Sequence, residues 1–315
     1  MIIKKNVLEF LKKMSFKVDD YIIKNNSSHN KIFVLTFHSV HQSKDQNHLL
    51  DYMDPNSSIP IEKLEILIEF LLSQNVRIIN SSNILNNKLS NVNVMLSFDD
   101  GYYNNHLLVD LADKFNIPIE IFISTKYIEN QSLFWWDIMY CNNINPELFK
   151  KLSHNKILSK SEYLYKKKMF SDLNRPLSIN ELKIISNNKN ILIGNHTHSH
   201  MILNKINSSF FMDDVKKAQL KLNQWIGYSP HSFAFPNGNH LGSKLNFFKK
   251  IGIELTYKVY PDYFINENLK LNQSIPRFMF NPNIDFLNEF EATMKLGLTY
   301  RFNKLLYFLS SFKNH

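Results

Sequence analysis

Apolar positions change their spacing several times along this chain, and the changes mark out its elements. Residues 31–37 (KIFVLTF) and 92–98 (VNVMLSF) are short apolar runs that read as strands. Residues 61–73 (IEKLEILIEFLLS) instead repeat apolar side chains every three or four positions, which predicts an amphipathic helix. Further β-like runs fall at 76–80, 119–124, 191–193, 232–235, 255–259 and 275–280, with helical patterns near 105–115, 211–225 and 243–250. Ser178 and Glu181 have capping-box spacing and predict a helix start ahead of the 191–193 strand. Strands alternating with helices argue for parallel βα units, hence an α/β fold. From 142 to 176 the pattern loosens into Lys-, Asn- and Ser-rich sequence, which reads as a helical insertion and not as a separate domain. No internal repeat is visible.

Both ends carry basic amphipathic stripes. Val7, Leu8, Leu11 and Met14 stand among Lys4, Lys5, Lys12, Lys13 and Lys17. Leu298, Phe302, Leu305, Leu306, Leu309 and Phe312 are flanked by Lys295, Arg301, Lys304 and Lys313. Helices of this kind dock on a core or lie on an anionic membrane surface; docking is the preferred expectation, with peripheral membrane contact as the alternative. The division expected is therefore an extension at 1–30, one domain at 31–283 with its insertion at 142–176, and a second extension at 284–315.

Composition narrows the class. With 315 residues, 44% of them hydrophobic, the chain can bury a large core in one domain. Its single cysteine, Cys141, excludes an intramolecular disulfide and is expected to be a small buried residue. The lysine-interrupted amino terminus does not read as a secretory signal, and no apolar run reaches the roughly 18 residues of a membrane span. The expected location is the cytoplasm, with the inner face of the membrane as its variant. The net charge of +9 is scattered and accompanies no nucleic-acid motif, so nucleic acid is not expected as a partner.

Candidate chemistry sits at strand ends. Asp99 and Asp100 close the 92–98 strand, and His196 and His200 follow the 191–193 strand. Residues four apart on a helical turn project from one face, bringing two imidazoles within reach of one ion. Three of these four side chains suffice to hold a metal, and the remaining carboxylate can serve as a base, which is most of what metal-assisted hydrolysis requires. Alone, His-x-x-x-His is more often two solvated histidines, and Asp-Asp-Gly is often only a turn.

Their company decides the reading. Residues 31–40 (KIFVLTFHSV), SFDDG at 97–101, HTHSH at 196–200, FAFPNG at 233–238 and IPRFMF at 275–280 stand in an order that resembles the polysaccharide deacetylase family, with NodB homology and assigned to carbohydrate esterase family 4. The likeness is to its permuted branch, in which a Tyr-His-type motif comes first and a Phe-Ala-Tyr-Pro motif replaces Arg-x-Pro-Tyr. It spans about residues 32–280. The resemblance implies a distorted (β/α) barrel of about seven strands, whose carboxyl-terminal strand ends would gather Asp99, Asp100, His196, His38 and Asn237.

It also implies roles. Asp100, His196 and His200 would hold one divalent metal, with zinc first and cobalt or nickel as alternatives. Asp99 would be the general base, and His38 would deliver the proton that an amide nitrogen needs on leaving, with a strand-end histidine bonded to a loop as the plainer alternative; Arg277 can pair with Asp99 and keep it ionised, an ordinary surface arginine being the equal alternative. Thr197 and Ser199 occupy the hydroxyl positions of the histidine motif, where they can orient the ligands. Pro236 and Asn237 belong to the Phe-Ala-Phe-Pro-Asn-Gly turn near the substrate. Trp135 and Trp136, after Phe134, are candidates for a sugar-binding wall, with plain packing as the alternative. His198 is expected to point elsewhere, while His231 and His240 carry no assignment. Ser97 for the usual Thr, Phe37 for the usual Tyr, and Asn237 where an aromatic is common are departures that bear on the sugar pocket.

The expected function is a metal-dependent N-deacetylase acting on an N-acetylated sugar in a glycan or glycan precursor. An O-acetyl esterase with the same metal site is the nearest alternative. A non-catalytic glycan-binding barrel and a non-haem iron oxygenase also remain; the oxygenase's His-x-Asp spacing and jelly-roll pattern are not found in the sequence.

Overall fold

The parallel strands of this protein close on themselves. The computed structural model describes residues 31–54, 57–150, 152–165, 171–202, 208–238, 245–260, 262, 264–265 and 274–279. Its strands are β1 (Lys31–Phe37), β2 (Ser39–His41), β3 (Ser58–Pro60), β4 (Arg77–Ile79), β5 (Val92–Phe98), β6 (Ile119–Ile123), β7 (Ile191–Asn195), β8 (Ser232–Ala234), β9 (Leu255–Val259), β10 (Phe264–Ile265) and β11 (Ile275–Met279). Seven of them form a ring in the order β1, β5, β6, β7, β8, β9, β11 and back to β1, with every neighbouring pair parallel. This is the distorted (β/α)7 barrel that the motif order implied.

The distortion has a local cause. β5 lies along β1 from Lys31↔Val92 to Phe37↔Phe98, and its other edge is shared. β4 takes the amino-terminal part of that edge (Arg77↔Asn93 to Ile79↔Met95), and β6 takes only Ser97 and Phe98. β10 likewise runs antiparallel to the first residues of β1, while β11 pairs with Leu35 and Thr36.

Because strand side chains alternate between faces, parity decides which residues face the barrel lumen. Ile32, Val34, Met95, Phe122, Ala234, Tyr257 and Ile275 form one buried cluster drawn mainly from the strands. Phe33, Leu35, Val94, Leu96, Ile121 and Ile193 instead join Leu64, Leu67, Ile68, Leu71, Leu108 and Leu182 of the surrounding helices. Continuing the first set by twos along β1, β5 and β11 leads to His38, Asp99 and Arg277. The lumen parity thus delivers chemistry at the top of the strands.

Helix Ile61–Ser73 follows the predicted bounds and buries Leu64, Leu67, Ile68 and Leu71, each contributing about 1.5–3 kcal/mol by burial. Ser178 caps helix Ile179–Ser186 in the predicted reciprocal box with Glu181. The insertion is helical, as expected, with helices Pro146–Phe149 and His154–Tyr165. Its return strand-like stretch binds back at the Asp-Asp-Gly turn, where Tyr103 N donates to Arg175 O at 2.9 Å and Leu177 N to Gly101 O at 3.0 Å. Cys141 is buried, as expected, and its Sγ donates to Tyr52 O at 2.9 Å.

Some elements escaped the periodicity. β2 and β3 form a small parallel pair of three residues each, and helices Gln46–Tyr52, Thr125–Asn130 and Trp135–Cys141 are too short to show a clear repeat. Both expected terminal extensions, 1–30 and 284–315, lie outside the described residues, as do His240 and residues 280–283. No helix among the described residues is long and apolar enough to cross a membrane.

Candidate metal centre and active site

Three side chains converge above the barrel. Asp100 follows β5, and His196 and His200 lie in the loop after β7; one donor atom from each falls within 4.8 Å of the others. Asp100 Oδ1 stands 3.5 Å from His196 Nε2 and 3.4 Å from His200 Nε2. All three residues are buried.

The histidine spacing works differently from the expectation. Residues 196–200 are not a helical turn but an irregular loop, with Thr197 at φ +70° and His200 at φ +52°. The left-handed turns, and not helical periodicity, bring the two imidazoles to one point. Asp100 is also left-handed, at φ +77°, and Gly101 continues the turn at φ +85°. A side chain at Gly101 would press its Cβ to within 2.8 Å of Ile123 Cδ1, so glycine serves both conformation and packing there.

The donor set fits a divalent cation. His196 Nδ1 lies 2.8 Å from Ala234 O, so that nitrogen carries the proton and the lone pair of Nε2 faces Asp100. Asp100 Oδ1 is buried without a hydrogen-bond partner. Two acceptors opposed at this distance repel unless a cation lies between them, and two imidazoles with one carboxylate suit zinc-like ions. Burial lowers His196 to about 4, and burial together with the neighbouring His196 lowers His200 well below the ordinary imidazole value. Burial, with Asp99 and Asp137 behind it, raises Asp100 well above the ordinary carboxylate value. Neutral imidazoles are ready to bind, and a bound cation is what would hold Asp100 ionised.

Beside this cluster lies the second aspartate. Burial alone would push Asp99 up, but the Arg277 guanidinium reverses that and holds the carboxyl well below its ordinary range. Arg277 Nη1 and Nη2 donate to Asp99 Oδ1 and Oδ2, both at 2.8 Å, in a bidentate pair with the arginine fully buried. Arg277 comes from β11 and Asp99 from the end of β5, where Asp99 N donates to Phe37 O at 2.9 Å and so brings Asp99 beside His38. His38 is partly exposed to the pocket, and its imidazole is lowered by burial, with Asp99 pulling it back up and Arg277 and Lys150 adding to the lowering.

The pocket has a volume of about 300 Å³ and is lined by His38, Asp99, Asp100, His196, His200 and Arg277 on the barrel side. Trp135, Trp136, Asp137, Tyr140, Glu147 and Lys150 line it from helix Trp135–Cys141 and the start of the insertion. Trp136 lies against His200, ring centroids 4.5 Å apart, and its Nε1 donates to Tyr102 Oη, which in turn donates to Asp137 Oδ2, both at 2.8 Å. Trp135 touches the pocket but is almost wholly packed in a cluster with Phe134 and Met139. Asn237, at φ +54°, is exposed at the pocket, while Pro236 is buried outside its lining. Thr197 and Ser199 lie under the loop, where Ser199 Oγ donates to Asp214 Oδ1 at 2.9 Å and the Thr197 amide donates to Asn195 Oδ1 at 2.8 Å. The Ser199 hydroxyl thereby braces the loop, and among the described residues no hydrogen bond joins the Thr197 or Ser199 side chain to either imidazole. His198 points away, its Nδ1 2.9 Å from Thr125 Oγ1, and His231 lies near Ser82.

Sequence reasoning missed Asp137, Lys150 and Asp214. Asp137 directly follows Trp135 and Trp136, but Asp214 lies within a helix and Lys150 at the end of one, where a single charge carries no signal.

The profile described as polysaccharide deacetylase matches residues 86–256, more than half of the chain. The chain belongs to the polysaccharide deacetylase family. Carbohydrate deacetylation is accordingly its chemistry, and the NodB-type barrel is its scaffold. Solved structures share this deacetylase fold at low identity. The Streptococcus pyogenes deacetylase PplD, in complex with acetate, matches with a TM-score of 0.60 and 14% identity over 84% of this chain and 99% of that one. A de-N-acetylase from Aggregatibacter actinomycetemcomitans gives 0.57 and 13% over 84% and 100%, and IcaB from Ammonifex degensii gives 0.56 and 15% over 85% and 99%. No curated protein matches the sequence significantly.

Proposed function

We propose that this deacetylase is metal-dependent and removes the acetyl group from the nitrogen of an N-acetylated sugar in a glycan or glycan precursor. The observation that carries the reading is the orphaned Asp100 Oδ1 opposed by two histidine nitrogens, directly beside an arginine-paired Asp99. Asp100, His196 and His200 hold the ion, zinc first, with cobalt or nickel able to replace it. When bound, such an ion supplies Lewis-acid polarisation of the acetyl carbonyl and makes water a better nucleophile at neutral pH.

The protein's own groups do the rest. Asp99, ionised at all working pH through Arg277, accepts the proton of the attacking water. Arg277 fixes that carboxylate in orientation and charge. His38, adjacent to Asp99, delivers a proton to the departing nitrogen, because an amide anion is a very poor leaving group. Trp136 offers an aromatic face beside His200 on which the apolar side of a pyranose can rest. The de-N-acetylase that shares this fold supports removal of acetyl from nitrogen, and the acetate-bound PplD supports removal of acetyl alone.

One observation favours O-acetyl ester cleavage as the second reading. Burial keeps His38 below its ordinary pKa, hence neutral at pH 7, and an ester leaving group depends less on a strong acid. His38→Ala separates the two. On an amide substrate the variant should lose about 10²- to 10⁴-fold in kcat, with far less loss on an acetyl ester. Equal effects on both substrates would remove His38 as the acid.

A further inference from the structure

The loop that carries both histidines is held in a conformation its residues do not favour alone. Thr197 at φ +70° is a β-branched residue in the left-handed region, and His200 follows at φ +52°. Such backbone persists only where its surroundings over-determine it. Here most of that constraint comes from one face of helix Ser208–Ile226.

Asp214 Oδ2 accepts the amides of His198 at 3.0 Å and Ser199 at 2.9 Å, while Asp214 Oδ1 accepts the Ser199 hydroxyl at 2.9 Å. Just over a turn further along the helix, Gln219 Oε1 accepts from Asn195 Nδ2 at 2.9 Å, and Asn195 Oδ1 accepts the Thr197 amide at 2.8 Å. Asp214 is only 8% exposed, so these bonds have little competition from water. Between His196 and His200, the amides of 197, 198 and 199 are therefore all fixed by side chains. None of these bonds reaches an imidazole.

We propose that Asp214 is a positioning residue that sets the affinity and geometry of the metal site by fixing the loop between its two histidine ligands. The inference rests on the reading of Asp100, His196 and His200 as ligands. Removing the carboxylate leaves two buried amides without acceptors, and the strained turn relaxes to recover partners, which moves His200 relative to His196. The requirement is for acceptors in place and not for charge. An asparagine can direct its carbonyl oxygen to both amides while its NH₂ donates to Ser199 Oγ.

The test uses the full chain, stripped of metal with a chelator. Zinc affinity is measured by competition with a chromophoric chelator, and the visible absorption of the cobalt-loaded protein reports coordination geometry. Asp214→Ala should weaken zinc about 10- to 100-fold and alter the cobalt spectrum, whereas Asp214→Asn should stay within about threefold of the parent. Glu120→Gln is the control for general destabilisation. Glu120 is a fully buried carboxylate near the amino-terminal end of β6, bonded to Ser81 and Ser232. Its variant should lower Tm and leave zinc affinity unchanged.

Parental zinc affinity in Asp214→Ala overturns the proposal. So does equal weakening in the alanine and asparagine variants, or equal weakening in Glu120→Gln. Should Asp214→Ala fail to fold, Asp214→Glu takes its place, since the added methylene displaces the acceptors while keeping the charge; parental affinity there is the overturning result. A parent chain that binds no zinc defeats the ligand reading itself, and the inference with it.

Discussion

Asp99 and Asp100 are sequence neighbours with opposite electrostatic fates. Asp99 meets two guanidinium nitrogens and stays ionised; Asp100 meets two imidazole nitrogens that cannot both donate to it, and its carboxyl is raised by burial. The division of roles follows from those partners, and single substitutions separate them. Asp100→Ala should abolish zinc binding, while Asp99→Asn should bind zinc normally and lose about 10²- to 10⁴-fold in kcat. Zinc stoichiometry measured alongside turnover checks this, and equal metal loss in both variants would contradict it. Arg277→Met leaves a buried carboxylate unpaired and should cost about 3–5 kcal/mol in urea unfolding. A loss below about 1 kcal/mol would match a surface pair instead. At this scale the motifs pointed to side chains that the structure brings together, Asp100 with His196 and His200, and Asp99 with Arg277. The sequence did not disclose Asp214, because its importance depends on which loop its helix faces.

Among the elements, the turn after β5 and the capped helix that follows the insertion give the clearest tests. Gly101→Ala places a side chain at φ +85° against Ile123, and should cost about 1–3 kcal/mol of stability by chemical denaturation. Ser178→Ala removes one half of a capping box and should cost about 1 kcal/mol. Its partner Glu181 is pulled down to about 2, chiefly by hydrogen bonds from Arg175. A carboxyl depressed in the folded state stabilises the fold above its unfolded pKa of about 4.5 and loses that contribution as pH falls through about 2. Glu181→Gln should therefore flatten the pH dependence of stability between about 4.5 and 2, by no more than about 1 kcal/mol, since the pair is partly solvated. An unchanged slope would assign the acid sensitivity elsewhere. Helices Ile61–Ser73 and Ile179–Ser186 were legible from local pattern because periodicity and capping are local. β2, β3 and the short helix Trp135–Cys141 were not, since three to seven residues are held there by tertiary packing.

For the molecule as a whole, the barrel gathers side chains that are as much as 239 positions apart in the chain, from His38 to Arg277. Periodicity alone gave α/β; ring closure was legible only through the order of five motifs, because which strand pairs with which is a non-local property. The helical-turn reading of the histidine pair failed for a related reason, as the loop conformation is imposed from helix Ser208–Ile226. If the metal completes the mouth of the barrel, the whole fold should register it. Zinc at about 100 times its dissociation constant should add about 2.7 kcal/mol to stability and raise Tm, with no shift in Asp100→Ala. The most direct measurement is acetate release from N-acetylated sugars, presented as nucleotide-linked, lipid-linked and oligomeric forms, by protein stripped of metal and then reloaded with zinc, cobalt or nickel. The account predicts no release by the stripped protein and restored release with one ion per chain. Release that persists undiminished in the fully stripped protein, or a chain that binds no ion at all, would contradict it.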